Sequence, residues 1–349
     1  LEIPTNVLNY KYQKLKKNNL CIKKKKIKSS EKKINEVSNY LTHAKYPVLL
    51  LGGGARGCDE YILKIVEKLS PYVITTINAR GILGDHCMCI PASPTLKTVR
   101  KELKKADIVL AVGTEFGETD YDMYKDGNFP KLKKLIRVDI NKNQLTKNIQ
   151  PYLSIRSDAI YFFKKLSEIL LAKKHYKKSS LQTPQMAKII RKLCLSEIEP
   201  KFKVPLNLIS TISSNFPDAI LVGDSTQPTY AGNLYTKTSK QGKWFNSATG
   251  YGTLGYAPPA SIGAKLAKPN KPVICIVGDG GLQFSLSELI TASEEQVPVI
   301  FLIWNSFGYK EIKDFMVSEN VNPIGVDIKP PNLKIQAAAF NLLYYGLIN

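Results

Sequence analysis

Apolar residues in this chain gather in short unbroken runs, each closing on a glycine, an asparagine or an aspartate. PVLLLGGGAR (Pro47–Arg56), YVITTIN, ADIVLAVG and KLIRVDI form one series. AILVGDS, PVICIVGDG and VPVIFLIWN form a second. Runs of this length without polar alternation are strands covered on both faces, as in parallel sheets. Between them lie segments of helical period: one follows Arg56 and runs through Leu69, one surrounds Leu206–Ser214, and GTLGYAPPASIGAKLA holds another. The lysine-rich stretch Lys164–Gln185 reads as a helix and then a linker. Strand–helix alternation predicts α/β architecture. The expected fold is two doubly wound parallel-sheet domains, over about residues 36–180 and 181–349, with no internal repeat.

Length and composition agree. The chain has 349 residues, 44% of them hydrophobic, enough to bury two cores. The formal net charge is +21 and the densest basic run is Lys11–Lys33. Arginine, the usual fork for phosphates and bases, is scarce there, and no aromatic-interleaved basic strand resembles an RNA-binding sheet. The run reads as a solvated linker, with no nucleic acid as partner. No stretch of 18 apolar residues and no signal-peptide pattern is present, so neither a membrane span nor a membrane partner is expected. Six cysteines are scattered, with Cys58 and Cys275 in or beside buried-looking strands. That usage suits reduced thiols in a cytoplasmic compartment. His86-Cys87-Met88-Cys89 holds too few ligands for a tetrahedral metal site and reads as loop packing.

The candidate chemistry lies in VICIVGDGGLQFSLSELITASEEQVPVIFLIWNS (Val273–Ser306). Val273–Val277 reads as a strand and Gly278-Asp279-Gly280-Gly281 as the turn at its carboxyl end. Ser285-Leu286-Ser287-Glu288 fits a capping box that opens a helix with Leu286, Leu289 and Ile290 on its apolar face. Val297–Trp304 reads as the next parallel strand. Ligands of open α/β sheets bind at the carboxyl ends of strands. Asp279 and the Asn305-Ser306-Phe307-Gly308 loop should therefore lie side by side. A carboxylate, a hydroxyl and a carbonyl oxygen suit Mg²⁺, and glycine N–H groups suit a diphosphate. The alternative is a plain tight turn beside a plain loop.

Gly278-Asp279-Gly280, followed 26 positions after Asp279 by Asn305, resembles the fingerprint of thiamine diphosphate-dependent enzymes. GDSTQPTYAGNLY, WFNSATGYGTLGYAPPASIGAKLA and WNSFGYKEIKDFM resemble the cofactor-binding domain of acetolactate-synthase-like enzymes. LLGGGARG, TTINARGILGDH and AVGTEFGETDYD resemble their Rossmann-like central domain. The nearest subgroup is the decarboxylases of 5-guanidino-2-oxopentanoate.

The resemblance implies thiamine diphosphate and Mg²⁺ as cofactors. Asp279, Ser306 and the carbonyl of Gly308 would be the metal ligands. Ser225, Thr226, Gln227, Gly278, Gly280, Gly281, Asn305, Gly308 and Tyr309 would surround the diphosphate end. Gly252, Thr253 and Leu254 would meet the rest of the cofactor. Gly252 and Leu254 are the catalytic candidates: the Gly252 carbonyl accepts from the 4′-amino group, and Leu254 forces the bent cofactor shape that brings the 4′-nitrogen to the thiazolium C2–H. Ser306 departs from the family, which usually has asparagine there.

The resemblance also implies that LEIPTNVL (1–8) is the last strand of a pyrimidine-binding domain otherwise absent, with residues 9–35 as linker. The activating glutamate would be absent with that domain, and NLLYYGLIN stops short of the full cofactor domain. Three readings follow: a 2-oxo acid decarboxylase, an acetolactate-synthase-type carboligase, or a non-catalytic remnant. A homodimer, a homotetramer, or a separate chain supplying the absent domain are the expected assemblies. In acetolactate synthases the central domain holds FAD. Gly52-Gly53-Gly54 resembles a phosphate turn, but Asn78 stands where an acidic ribose partner is expected, so the domain reads as scaffold with FAD as the alternative.

Overall fold

The computed structural model describes residue 6 and residues 27–117, 129–174, 176, 180–329 and 331–346. The expectation for residues 1–8 (residue 6 apart) and the first part of the expected linker, through residue 26, fall outside the described residues, as does the GETDYD motif beyond Gly117; the end of that linker is corrected, because a helix opens at Glu31 and buries Ile34. Two all-parallel sheets are present. The first contains β1 (Pro47–Leu51), β2 (Tyr72–Thr75), β3 (Cys89–Ile90), β4 (Ile108–Val112), β5 (Leu135–Asp139) and β6 (Leu153–Arg156) in the order β3-β2-β1-β4-β5-β6. The second contains β7 (Ile220–Gly223), β8 (Trp244–Asn246), β9 (Val273–Gly278) and β10 (Ile300–Trp304) in the order β10-β9-β7-β8.

Every residue of β1, β2 and β4 is buried, as continuous apolar runs require. Helices α1 (Glu31–His43), α2 (Asp59–Leu69) and α3 (Lys97–Lys105) follow the apolar period, and α4 (Ala159–Ala172) packs on α1 and α2. Phe162 and Phe163 of α4 are completely buried in this core. Helices α5 (Pro184–Ser196) and α6 (Pro200–Asn215) lead into the second sheet. There α7 (Gln227–Leu234), α8 (Ala257–Ala267), α9 (Asp279–Leu282), α10 (Glu288–Glu294), α11 (Lys310–Ser318) and α12 (Leu333–Ala339) complete the order.

The strand order of the first sheet reverses between β1 and β4, the position where doubly wound sheets bind dinucleotides. Here backbone fills it. A Cβ on Gly52 would stand 2.1 Å from the Gly113 oxygen. The Gly52 N–H donates to Val112 O at 2.9 Å and the Gly54 N–H to Gly113 O at 3.0 Å. These donors hold β1 to β4 and are not turned to a phosphate, which favours the scaffold reading over FAD.

Backbone also meets backbone between the domains. A Cβ on Gly84 would lie 1.8 Å from Thr238 O, and one on Gly81 2.2 Å from Lys240 O. Gln241 accepts from the Gly57 N–H at 2.9 Å and also bonds Asp59. The Arg80 guanidinium donates to Thr75 O at 2.6 Å and Asn233 O at 3.1 Å.

Several expectations need correction. Ser285 opens no helix: the chain already turns helically from Asp279, a 3-10 turn covers Gln283–Ser285, and α10 starts at Glu288 without a side-chain cap. Ile290 of that helix is exposed, while Leu289 is buried. The strand expected from Val297 begins only at Ile300. The His86-to-Cys89 segment packs as expected: His86 Nδ1 accepts the Met88 N–H at 3.2 Å and the Cys89 thiol faces Ile82 O at 3.8 Å. Among the described residues no group of three His, Cys, Asp or Glu side chains could hold a metal ion. The five described cysteines are all free thiols, and no described helix is long and apolar enough to cross a membrane.

Candidate active site at the strand ends of the second sheet

β9 lies between β10 and β7, all three parallel, so their carboxyl ends form one edge. Gly278 pairs in register with Trp304, which sets the residues after each beside one another. Asp279 is 1% exposed at the head of α9. Its Oδ1 accepts the Ser306 N–H at 3.2 Å and faces Ser306 Oγ at 3.3 Å; its Oδ2 accepts the Gly308 N–H at 2.9 Å. Ser306 Oγ also lies 3.2 Å from Gly308 O. The turn depends on Gly308, whose φ of +143° and whose missing Cβ, which would meet Val326 O at 2.7 Å, exclude other residues.

Ser306 Oγ therefore touches two acceptor oxygens but has one proton to give. One of the two oxygen–oxygen contacts lacks a shared hydrogen, an arrangement that a cation relieves. Octahedral Mg²⁺ with ligands at about 2.0–2.1 Å sets neighbouring oxygens about 3 Å apart. The observed separations of 3.2 and 3.3 Å lie close to that edge. Asp279, Ser306 and Gly308 thus fit a Mg²⁺ ligand set.

The other expected residues converge on the same edge. Ser225 Oγ donates to the Gly252 carbonyl at 2.9 Å and pairs with Ser247 Oγ at 2.9 Å. Thr226 lies against Gly278: a Cβ there would meet Thr226 Oγ1 at 3.2 Å. Tyr309 covers Gly280 and Leu254 approaches Gly281, with would-be Cβ contacts of 2.7 and 3.6 Å. Asn305 is exposed, and its carboxamide accepts the Phe307 N–H at 3.1 Å, shaping the loop without reaching Asp279. Thr253 is exposed beside Leu254. A cavity of about 380 Å³ opens beside Ser225 and Gly252, with Ile77 and Thr95 of the first domain on its other side.

Two acidic residues of this region escaped the sequence reading. Asp224 is fully buried. Its Oδ1 accepts from Ser225 N at 2.9 Å and Gly255 N at 3.3 Å, and its Oδ2 from Ala257 N at 2.9 Å. It ties together the end of β7, the Gly252–Gly255 loop and the start of α8. Burial raises its carboxyl pKa, and the backbone donors oppose the rise. The GDS motif was the available signal. Glu311 stands in the first turn of α11, close to Gln227 and Tyr230, with its carboxyl pKa raised by burial. Its Oε1 is buried without a hydrogen-bond partner among the described residues, and nothing in its sequence neighbourhood signals this.

Residues 224–343 match the thiamine pyrophosphate enzyme C-terminal TPP binding domain, and residues 34–166 match the central domain of the same enzymes. The chain belongs to the thiamine pyrophosphate enzyme family, whose members use thiamine diphosphate with Mg²⁺. It is 32% identical over 305 residues to the "Probable 2-ketoarginine decarboxylase AruI" of Pseudomonas aeruginosa, covering 86% of this chain and 53% of that protein. It is 29% identical over 288 residues to the acetolactate synthase isozyme 1 large subunit of Escherichia coli K12, covering 79% and 49%. It is 27% identical over 296 residues to the "Probable acetolactate synthase large subunit" of Methanococcus aeolicus, again covering 79% and 49%. The chain spans about half the length of the curated relatives it matches.

Proposed function

We propose that this chain carries the diphosphate–Mg²⁺ half of an enzyme that decarboxylates a 2-oxo acid without oxidation, of the 2-ketoarginine (5-guanidino-2-oxopentanoate) decarboxylase kind. The observation that carries the proposal is the oxygen set of Asp279, Ser306 and Gly308 at the ends of β9 and β10. Thiamine diphosphate, when bound, supplies the electron sink for loss of carbon dioxide. Asp279, Ser306 Oγ and Gly308 O would hold the metal. The Ser225–Thr226 turn and the Gly280–Gly281 backbone would hold the diphosphate. The Gly252 carbonyl, fixed by Ser225, would orient the pyrimidine, and Leu254 would support its bent shape. Asn305, Gln227, Thr253 and Tyr309 would frame these groups.

A second reading, an acetolactate-synthase-type carboligase, is supported by the resemblance to acetolactate synthase large subunits. It uses the same half-site, with a second 2-oxo acid as acceptor. Tyr251 is fully exposed and Phe307 70% exposed at the mouth of the site, which supports closure by a further polypeptide surface, from a second copy or a separate chain. Titration calorimetry tests the proposal. Wild type should bind thiamine diphosphate with an affinity that depends on Mg²⁺, and Asp279→Ala should abolish that dependence. Equal Mg²⁺-dependent binding by both would remove the assignment.

A further inference from the structure

β10 is an edge of the second sheet, and among the described residues no strand pairs its outer side. Its sequence, IFLIW, is nevertheless that of an interior strand. All five residues are apolar; Leu302 packs against the core on one face of the sheet, and Phe301 and Ile303 against the core on the other. Edge strands are normally kept from pairing by being short or by carrying charge. The other three edges of the two sheets obey this rule: β3 has two residues, β8 has three, and β6 ends in the exposed Arg156. β10 has neither protection. No charged residue occurs from Gln296 to Tyr309, and Ile300 is 58% exposed. The helices that follow leave the region open as well, since α11 and α12 contain no buried residue.

The charges at the two ends of the strand select an occupant. Glu294 and Glu295 are the nearest charges before β10, and both are exposed. Lys310 is the first charge after it, also exposed, and meets Asp314 at 3.1 Å. A second copy laid antiparallel, with a two-fold axis at Leu302, sets Ile300 opposite Trp304 in both directions. It also brings the two glutamates of each copy to the end where the other carries Lys310. A parallel copy would instead set like ends together.

We propose that β10 is a dimerisation edge, at which two copies of this chain pair their β10 strands antiparallel about Leu302 and join their second sheets into one. The pairing does not depend on the substrate proposed above. It does bear on the metal site, because Trp304 leads directly into the Asn305–Gly308 loop, which the start of the partner's strand then supports.

Sedimentation velocity of the full chain over about 1–100 μM, a range that resolves micromolar dissociation constants, tests the pairing. Wild type should pass from monomer to dimer. Ile300→Lys, which places a charge on the open edge, should weaken the dimer by about tenfold or more. Lys310→Glu should weaken it by about fivefold, although it lowers the net positive charge and so reduces general repulsion. Adding Glu294→Lys and Glu295→Lys to that variant should restore the dimer. Hydrogen exchange of the 297–306 amides should slow in wild type as dimer forms, a readout that holds even where a variant fails to fold. Urea midpoints identify any such variant. A wild type that stays monomeric overturns the second copy as the occupant. A dimer without added protection at 297–306, or one that folded Ile300→Lys leaves intact, overturns the edge as the interface. Failure of the charge exchange to restore the dimer overturns the antiparallel arrangement.

Discussion

Asp224→Asn removes one acceptor from the centre of the site without changing its size. In the wild type three N–H groups converge on the carboxylate: Ser225 and Gly255 on Oδ1, Ala257 on Oδ2. Ala257 is the first residue of α8, so its N–H has no partner within the helix. The carboxamide keeps a single oxygen. Whichever way it is turned, its NH₂ group faces at least one of these donors. The substitution therefore loses a charge-assisted bond, worth about 1.5–3 kcal/mol, and orphans a buried donor at about 1–3 kcal/mol. Relaxation offsets part of this, and the expected destabilisation is about 2–4 kcal/mol. The chain has two tryptophans, Trp244 on β8 and Trp304 on β10, so fluorescence reports the second domain alone. In urea the tryptophan transition should move down by about 1–2 M for an ordinary m-value. An unchanged midpoint would refute the claim that Asp224 holds the Gly252–Gly255 loop to the strand ends.

Four further outcomes are expected. Ser306→Asn should tighten Mg²⁺-dependent thiamine diphosphate binding, measured by calorimetry, because an amide oxygen reaches further than the hydroxyl; weaker binding would show that another group serves the metal. Gly84→Ala should destabilise the protein by about 1–3 kcal/mol in urea, since its Cβ would overlap Thr238 O and part the domains. Burial lowers the His86 pKa, so the native state resists protonation; its contribution is full above the unfolded value of about 6.5 and is lost as pH falls through the native value. Unfolding titrations from pH 7.5 to 5 should show this slope in wild type and a flatter one in His86→Gln. Burial pushes the thiols of Cys58, Cys89, Cys194 and Cys275 up to about 12, while Cys87 is exposed. In a Cys21→Ser background a thiol reagent should label one site rapidly under native conditions, and Cys87→Ser should remove it.

The long buried strands were legible because their apolar runs end abruptly in glycine, asparagine or aspartate. β1, β2, β4, β5, β7, β9 and β10 all followed that rule. β3, with two residues, is too short to show a pattern, and β6 (LSIR) and β8 (WFN) mix polar and apolar positions. Pro205 interrupts the pattern of α6, so the sequence suggested only its second half. Ser285 looked like a cap because its spacing to Glu288 fits one; the helical turn that starts at Asp279 leaves it inside rather than before a helix. The pairing of Asp279 with Ser306 and Gly308 was readable from adjacency of strand ends. The role of Asp224 was not, since its three donors come from segments up to 33 positions away.

The central claim is that Asp279, Ser306 and Gly308 together hold the metal that carries the diphosphate. Crystals grown with thiamine diphosphate and Mn²⁺ in place of Mg²⁺ test it directly, because anomalous scattering locates the ion. One ion is expected within about 2.0–2.4 Å of an Asp279 carboxylate oxygen, Ser306 Oγ and Gly308 O, with diphosphate oxygens completing an octahedron. An ion bound elsewhere, or a diphosphate held at this edge without one, would contradict it.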